Sequence, residues 1–371
     1  MLTVRELTPA DDAAWDQLVV ASPQGNVFQR STWLAMMQAT EPEPRLFRLG
    51  CFDGERLVGG QAMFCHREFG LELSTTFDFF YCGPMVAPDS HGRQAHVSAT
   101  GYAIVSALAE ALSARLPYVD MEAHPTFEDA RPFIYAGWEV LPLYTHIWPM
   151  AQPEAVWLAM NREKRRIIKQ ALSRFRFGAD CDAETLTHFL ELYRQTVLKF
   201  SWRPSFDWQR LFQERFRWMN ERDGCRLYTA RTVSGELAAA VVVLLSREDN
   251  TAYLWRQGSA PERVTEGVVP ALYWYAAQEL AREFAFVNFG GSPQASLSRF
   301  KDYLGAQPRL HFRLVKNNSR ARLWFYALLR HSKDVAYNTV MATRDHARGA
   351  ADSLTRIGER RRATEHHPAD L

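Results

Sequence analysis

The chain has 371 residues, of which 47% are hydrophobic and 23% charged, and its net charge is only +2. This length exceeds the usual size of one hydrophobic core and predicts two domains, whereas the near-neutral charge does not by itself call for a nucleic-acid partner. The start of the chain lacks the pattern of a secretory signal, no stretch is apolar enough to span a membrane, and the five cysteines show neither CxxC nor zinc-ligand spacing. We therefore expect a cytoplasmic protein without a metal site.

Two pairs of segments repeat along the chain at nearly the same spacing. RLFRLGCFDGERLVGGQAMF at 45–64 aligns without a gap on RLYTARTVSGELAAAVVVLL at 226–245, an offset of 181 residues. Each segment has the strand, tight turn and strand of a β-hairpin. A second pair, at 118–138 and 286–306, aligns Asp120 with Asn288 and Gly137 with Gly305 at an offset of 168. Because the order is the same, the repeats predict an internal duplication.

The second repeat shows the predicted elements most clearly. A helix over LTHFLELYRQTVLKF is followed by strands at RLYTARTV, LAAAVVVLLS and TAYLWRQGS, a helix at 269–284, a strand at FAFVNF and a last helix. Ser292 is the predicted N-cap of that helix, Pro293 suits its first turn, and Gly305 suits the left-handed position just past its end. Lys301 then lies in its last turns. We predict a mixed α/β fold of two tandem domains, each a mixed sheet with flanking helices.

The domain boundaries follow from proline and charge patterns. Two prolines at 149–157 interrupt the periodic pattern, so we place an N-terminal domain at 1–150 and a C-terminal domain at 151–318. The remaining tail, 319–371, is basic and is predicted to be helical to flexible. From Arg313 to Arg362 there are 12 Lys or Arg residues against 4 Asp or Glu residues. The tail either packs on the second domain or makes peripheral contact with an anionic membrane surface.

Four motifs follow one another along the chain: FQRSTWL at 28–34, REKRRIIKQALSRF at 162–175, YLWRQGS at 253–259 and VNFGGSPQASLSRFKDYLGA at 287–306. Together they resemble the FemAB-type branch of the GNAT (Gcn5-related N-acetyltransferase) superfamily, whose members carry two GNAT-like domains in one chain. The resemblance covers about residues 3–316, and its last motif is the most specific. One departure is Asn288, which stands where the family usually has Asp.

The resemblance implies an N-acyltransferase that moves an aminoacyl group from aminoacyl-tRNA, or another activated acyl group, to the amine of a peptide, a cell-envelope precursor or a small metabolite. It also implies a catalytic Lys301, whose ammonium would stabilise an oxyanion or a leaving phosphate from a solvent-reachable channel. Asn288 and the turn of Gly290, Gly291 and Ser292 would contact the substrate. The alternatives are a solvated lysine near a helix carboxyl end and a turn that only caps a helix.

Arg162, Arg165, Arg166 and Lys169 recur at i, i+3, i+4 and i+7 and share one face of a predicted helix. Such a row would hold the phosphates of tRNA or of a nucleotide-linked precursor, although many basic faces are only solvated.

Three aromatic residues near the motifs, Trp33, Tyr193 and Tyr253, either contact the substrate or belong to the core. Arg256, a charge inside a strand, is expected to point to a cleft or to a carboxylate.

Two other functions remain open. Acyl-CoA users of the GNAT superfamily cradle pyrophosphate in a Q/R-x-x-G-x-G/A loop, and the corresponding stretch, PERVTEGVVPALYWY, has the single Gly267 and a Pro270 that removes a donor N–H. Acyl-CoA is therefore the alternative donor, and no tightly bound cofactor is expected. A third hypothesis is a non-catalytic protein that binds tRNA or an anionic polymer. The oligomeric state is not predicted.

Overall fold

The computed structural model describes residues 1–41, 43–68, 71–75, 81–88, 99–180, 182–198, 207–292 and 294–318. Met1–Lys316 form one compact unit. The predicted tail at 319–371 and Pro293 lie outside the described residues. The predicted boundary between residues 150 and 151 falls just after a strand that ends at Pro149, and the two-domain division stays a prediction.

The described elements confirm the mixed α/β fold. The first half contains β1 (Leu2–Glu6), α1 (Asp12–Ala21), α2 (Ser31–Thr40), β2 (Arg45–Asp53), β3 (Arg56–Glu68), β4 (Leu71–Thr75), β5 (Met85–Val86), α3 (Ala99–Arg115), β6 (Tyr118–Glu122), α4 (Arg131–Tyr135) and β7 (Glu139–Pro149). The second half contains α5 (Pro153–Ala159), α6 (Arg162–Arg174), β8 (Arg176–Ala179), α7 (Ala183–Leu198), α8 (Trp208–Asn220), β9 (Cys225–Arg231), β10 (Leu237–Ser246), β11 (Thr251–Ser259), α9 (Val268–Leu280), β12 (Phe286–Gly291), α10 (Ala295–Tyr303) and β13 (Gln307–Asn317).

The described strands form one sheet in the order β1-β2-β3-β4-β6-β13-β7-β12-β11-β10-β9-β8, with β5 paired to β3. The order is symmetric about its centre when each strand of the first half is exchanged for its repeat in the second. The offset of 168 residues holds for β6 and β12 (286 − 118) and for β7 and β13 (307 − 139). The two halves therefore exchange their last strands. The last strand of the first half, β7, pairs with β12 of the second, and β13 of the second half pairs with β6 of the first.

A pseudo-twofold axis passes through the antiparallel ladder of β7 and β13. Leu143 on β7 lies opposite His311 on β13. The same two residues are equivalent in the duplication, because 143 + 168 = 311. Two residues that are equivalent in the duplication and also lie opposite each other in the ladder are exchanged by the axis, so the axis passes between them. The centre of the sheet is therefore formed equally by both halves.

Helices cover both faces of the sheet. One core cluster contains Trp15 of α1, Trp33 of α2, Phe189 of α7 and Phe212 of α8, so it draws on both halves. On the other face, α3 and α4 pack in the first half, and α5, α6 and α9 pack in the second. Apolar burial is the dominant favourable term in folding, and the shared cluster ties the halves together.

The last helix begins later than predicted. Its N-cap is Gln294, not Ser292, because the glycine turn of Gly290 and Gly291 forms the end of β12 and the helix begins only after it. The Ser292 Oγ atom is buried and has no hydrogen-bond partner among the described residues. Gly305 adopts the predicted left-handed conformation, with a φ of 70°. A Cβ there would lie 3.0 Å from the backbone of Ala159 and Met160, so glycine is required on two grounds.

Candidate active site

The parallel strands β11 and β12 pair only at their beginnings. Their shared ladder covers Thr251–Tyr253 opposite Phe286–Asn288. Beyond it, β11 continues beside β10 while β12 pairs with β7. A β-bulge at Trp255 separates Leu254, opposite Val243, from Arg256, opposite Val242. Ligands of open α/β sheets bind where neighbouring strands diverge at their carboxyl ends, so this separation is the candidate site.

Lys301 lies against the Gly-Gly turn at the end of β12, as predicted, but its surroundings differ from the prediction. Its side chain is only 8% exposed. The ammonium donates to the backbone carbonyls of Phe289, Gly290 and Gly291 at 3.0, 2.8 and 2.7 Å. Burial lowers the pKa of Lys301 to about 8. Since all three N–H groups are engaged, the ammonium holds the turn and does not project into a solvent-reachable channel.

Asn288 connects the turn to two other segments. Its Oδ1 accepts hydrogen bonds from Thr145 Oγ1 and from the Gly290 N–H, both at 2.7 Å. Its Nδ2 donates to the Tyr81 hydroxyl at 3.2 Å. Tyr81 is fully buried, and this burial raises the pKa of its phenol. Asn288 is itself 3% exposed, so the neutral amide avoids the cost of burying a charge.

A second polar cluster lies on the other side of Tyr81. His311 Nε2 lies 3.1 Å from Glu122 Oε2, and the ring centroids of His311 and Tyr81 are 5.4 Å apart. His124 packs on Tyr81 at 5.1 Å, and its two ring nitrogens contact Asp249 at 3.1 Å and Thr126 at 2.8 Å. Tyr81 thus packs on two imidazole rings, each of which has a carboxylate partner.

His146 lies on the opposite face of the sheet from Thr145, because neighbouring residues of a strand alternate. Its Nε2 is 3.3 Å from Asp302 Oδ1 and 3.4 Å from Ser298 Oγ, both on α10. Burial and the charge of Lys301 lower its pKa. These contacts join β7 to α10.

The predicted basic row lies on α6, as expected. It lines a surface cavity of about 800 Å³ together with Trp157, Asn161 and Glu163; the basic members are Arg162, Arg165, Arg166 and Lys169. Arg166 is paired with Glu163 at 2.6 and 3.1 Å, and the Lys169 ammonium lies 5.9 Å from the centre of the Trp157 ring. The Arg165 Nε atom is buried and has no hydrogen-bond partner among the described residues. The row therefore faces a concave surface.

The segment that leads from β11 into α9 is compact. Residues Pro261–Glu266 form a 3-10 turn, and Gly267 follows with a φ of 76°. A Cβ on Gly267 would lie 2.1 Å from Ile167 Cγ2 on α6. The start of α9 is therefore covered by the helix that carries the basic row, and the single glycine packs against a side chain.

The three predicted aromatic contacts lie in the core. Trp33 and Tyr253 have no exposed surface, and Tyr193 is 8% exposed and stacks on Trp208 at 4.7 Å. In this conformation all three belong to the core. Arg256 is half-buried beside the bulge, where its Nη1 donates to the Trp255 carbonyl and its guanidinium lies 5.3 Å from the Trp255 ring centre.

Several residues of the central clusters were not singled out from the sequence: Tyr81, Glu122, Thr145, Asp249 and His311. A signal was present in the duplication. At the offset of 168, Glu122 aligns with Gly290 and His311 with Leu143. A polar residue in one repeat whose equivalent in the other is small or apolar is not required by the fold, and such positions are functional candidates.

Comparison with known proteins supports the fold described above. Residues 159–302 match the family model described as "Acetyltransferase (GNAT) domain". The crystal structure of FemX is similar with a TM-score of 0.63 and 12% identity, over 86% of this chain and 99% of that one. A tandem GNAT protein from the clavulanic acid biosynthesis pathway gives a TM-score of 0.51 and 13% identity, over 86% and 99%. These identities show the fold alone, and no curated protein sequence matches the chain.

The described helices include none that is long and apolar enough to cross a membrane. The match of residues 159–302 to a GNAT acetyltransferase domain supports an acyltransferase. Residues 159–302 thus match a GNAT acetyltransferase domain, the fold is similar to that of a tandem GNAT protein, and the chain is an acyltransferase.

Proposed function

We propose that the protein is an N-acyltransferase that transfers an aminoacyl group from aminoacyl-tRNA, or another activated acyl group, to an amine acceptor. The observation that carries the proposal is the basic face of α6, which lines a cavity of about 800 Å³. Arginine and lysine side chains on one face hold phosphate groups by charge-assisted hydrogen bonds. The acceptor is an amine of a peptide, a cell-envelope precursor or a small metabolite.

The basic face lies near the candidate site. The helix α6 packs on Gly267, which begins α9 directly after the turn that follows β11. The carboxyl end of β11 is also where β11 and β12 diverge. An anionic donor held on α6 would therefore place its acyl end toward that opening. Binding energy gained on a remote anionic part of a substrate positions the reacting carbon, which is a large contribution to catalysis.

Lys301 and Asn288 act in this proposal by shaping the turn. The Lys301 ammonium donates hydrogen bonds to three backbone carbonyls, and the Asn288 side chain accepts one from the Gly290 N–H. These hydrogen bonds engage both N–H and carbonyl groups of the turn, so the turn keeps one conformation. Gly290 lies in the left-handed region, with a φ of 70°. Lys301 is thus a positioning residue, and the geometry does not favour it as a free donor to an oxyanion.

Acyl-CoA is the second candidate donor. The tandem GNAT structure is that of a form without AcCoA, so a protein of similar fold is associated with that ligand. Against it, the stretch that would cradle pyrophosphate is a 3-10 turn closed by Gly267 against Ile167. A cradle of this kind needs free backbone N–H groups that can approach the phosphates, and Pro270 and the packed Gly267 do not supply them.

A panel of donors tests the proposal. The full-length protein is incubated with aminoacyl-tRNAs and acyl-CoAs in the presence of amine acceptors, and both donor deacylation and amide formation are read by mass. We expect amide formation with aminoacyl-tRNA. Transfer from acyl-CoA alone would replace the donor assignment, and RNA binding without any transfer would favour a non-catalytic binding protein. The predicted cytoplasmic location and the role of the tail stay predictions.

A further inference from the structure

His311 and Glu122 form a pair between β13 and β6, and the role assigned to them here rests on the proposed amine acceptor. His311 is only 2% exposed, whereas the Glu122 side chain is 32% exposed. The Glu122 carboxylate can only accept, so the His311 Nε2 must donate to it. This contact sets the tautomer of the neutral ring and leaves the lone pair on Nδ1.

The Nδ1 atom of His311 is buried and has no hydrogen-bond partner among the described residues. A buried polar atom without a partner costs about 1–3 kcal/mol and calls for an explanation. Both ring nitrogens of His124 have partners. His146 shares a buried Nδ1 without a partner among the described residues, but it lies on the opposite face of the sheet from Thr145. His311 therefore carries a lone pair that the protein itself does not use.

The fold does not require these two residues. The equivalent of His311 across the pseudo-twofold axis is Leu143, and the equivalent of Glu122 is Gly290. An apolar residue thus satisfies the same strand position in the other half. The burial of an imidazole in place of a leucine has a cost that packing alone does not repay.

The pair also lies close to the candidate site. Tyr81 contacts the His311 ring at 5.4 Å, and its hydroxyl binds Asn288, which is the last β12 residue paired with β11. Asp120 and Arg313, each two residues away along the same strands, bind each other. Tyr81 therefore contacts both Asn288, which lies beside the opening between β11 and β12, and His311, whose Nδ1 has no partner among the described residues.

We propose that His311, oriented by Glu122, is the general base that takes the proton from the ammonium of the acceptor. The ammonium gives one proton to His311 Nδ1, and the ring passes its Nε2 proton to the half-exposed Glu122, from which that proton reaches solvent. The free amine then attacks the acyl carbon. A C–N bond forms, the C–O or C–S bond of the donor breaks, and the leaving atom takes the second proton of the nitrogen. The products are an amide, the free leaving group and one released proton.

The test uses the full-length protein with a donor and an acceptor on which the wild type is active. For His311→Gln we expect kcat to fall by about 10²–10⁴-fold at neutral pH. Its rate should then climb steadily with pH, because solvent must deprotonate the amine, while the wild type levels off. The KM for the donor should not change. Glu122→Gln keeps a hydrogen-bond acceptor for Nε2, so its kcat should fall by less than that of His311→Gln.

The matched control is His124→Gln, which also removes an imidazole that packs on Tyr81. We expect it to lower the melting temperature without altering the pH profile. If His311→Gln does not fold, the pH profile of Glu122→Gln decides, because its side chain reaches solvent. Wild-type pH profiles in both variants would overturn the general base and leave the proposed function intact. A wild type that forms no amide with any donor would overturn the proposed function, and this assignment with it.

Discussion

Thr145 binds Asn288 at the position where, in the other half of the molecule, Arg313 binds Asp120. The two pairs are equivalent, because 120 + 168 = 288 and 145 + 168 = 313. Arg313 donates two hydrogen bonds to Asp120, at 2.8 and 2.5 Å, and Thr145 donates one to Asn288, at 2.7 Å. The duplication thus keeps a contact between the exchanged strands and changes its charge. Asn288, which stands where an aspartate was expected, is thus paired with the neutral Thr145.

The first prediction tests this equivalence. Arg313→Thr leaves the Asp120 carboxylate, whose side chain is 10% exposed, without its cation. We expect the free energy of unfolding to fall by about 1–3 kcal/mol. Adding Asp120→Asn recreates the neutral pair of the second half and should recover most of the loss. Urea unfolding of the two single variants and the double variant gives the coupling energy. Additive losses would show that the two sites do not share a contact.

The second prediction concerns Lys301 and pH. Burial lowers its pKa from 10.5 to about 8. Below about pH 8 both the folded and the unfolded chain hold the proton. Between about pH 8 and 10.5 only the unfolded chain holds it, so this residue makes the protein more stable as pH rises. Relative to Lys301→Met, the wild type should gain at most about 3 kcal/mol over this window.

Urea unfolding of both proteins at several pH values measures the difference, in which the other titrating groups cancel. A difference that stays constant from pH 8 to 10.5 would mean that the ammonium keeps its proton, held by the three carbonyls. The activity of Lys301→Met addresses the turn separately: full transfer activity would contradict the positioning role.

The third prediction concerns the basic face of α6. Lys169→Gln removes one charge from the cavity, and we expect weaker binding of aminoacyl-tRNA together with a decrease of about 1 in the slope of log K against log salt. Filter binding over a range of salt concentrations measures both. Arg282→Gln is the control, since this side chain is 78% exposed and lies outside the cavity. Equal effects of the two variants would indicate only a long-range influence of net charge.

The fourth prediction separates backbone strain from packing. Gly267 and Gly54 both have positive φ, 76° and 60°, but a Cβ on Gly54 meets nothing within 4 Å. Gly54→Ala should cost about 1–2 kcal/mol for its backbone conformation alone. Gly267→Ala should cost about 1–3 kcal/mol more, because its methyl group would collide with Ile167. Thermal unfolding ranks the variants, and the extra loss should largely disappear when Ile167→Ala is added. If it persists, α6 does not press on this turn.

Much of the fold could be predicted from the sequence because the duplication left exact spacings. The offset of 168 that joins Asp120 to Asn288 also joins β7 to β13, and the hairpins at the offset of 181 formed as β2–β3 and β9–β10. The exchange of last strands could not be predicted, since periodicity shows that a strand exists but not which strand it pairs with. The start of α10 was missed by two residues because the Gly-Gly turn was expected to lead directly into the helix, whereas it forms the end of β12.

The site was predicted in part. Local motifs placed Lys301 beside the glycine turn and the basic row on one helix face. The sequence could not predict that all three N–H groups of the Lys301 ammonium form hydrogen bonds, because the acceptors are backbone carbonyls whose direction depends on the conformation of the turn. The equivalent residue in the first half, Phe133, is fully buried, so the comparison of the repeats already indicated that position 301 faces inward. Glu122 and His311 are 189 residues apart, and no local pattern joins them.

The exchange of the last strands has a consequence for synthesis on the ribosome. The β6 edge that β13 covers is formed by residue 122, whereas β13 is complete only at residue 317. Those 195 residues take about 10–40 s to translate. Throughout that interval β13 is not available to cover the β6 edge, and an uncovered strand edge is a template for aggregation. Neither half can be finished first, so the two copies of an ancestral unit now mature as one, and only when the second copy is nearly complete.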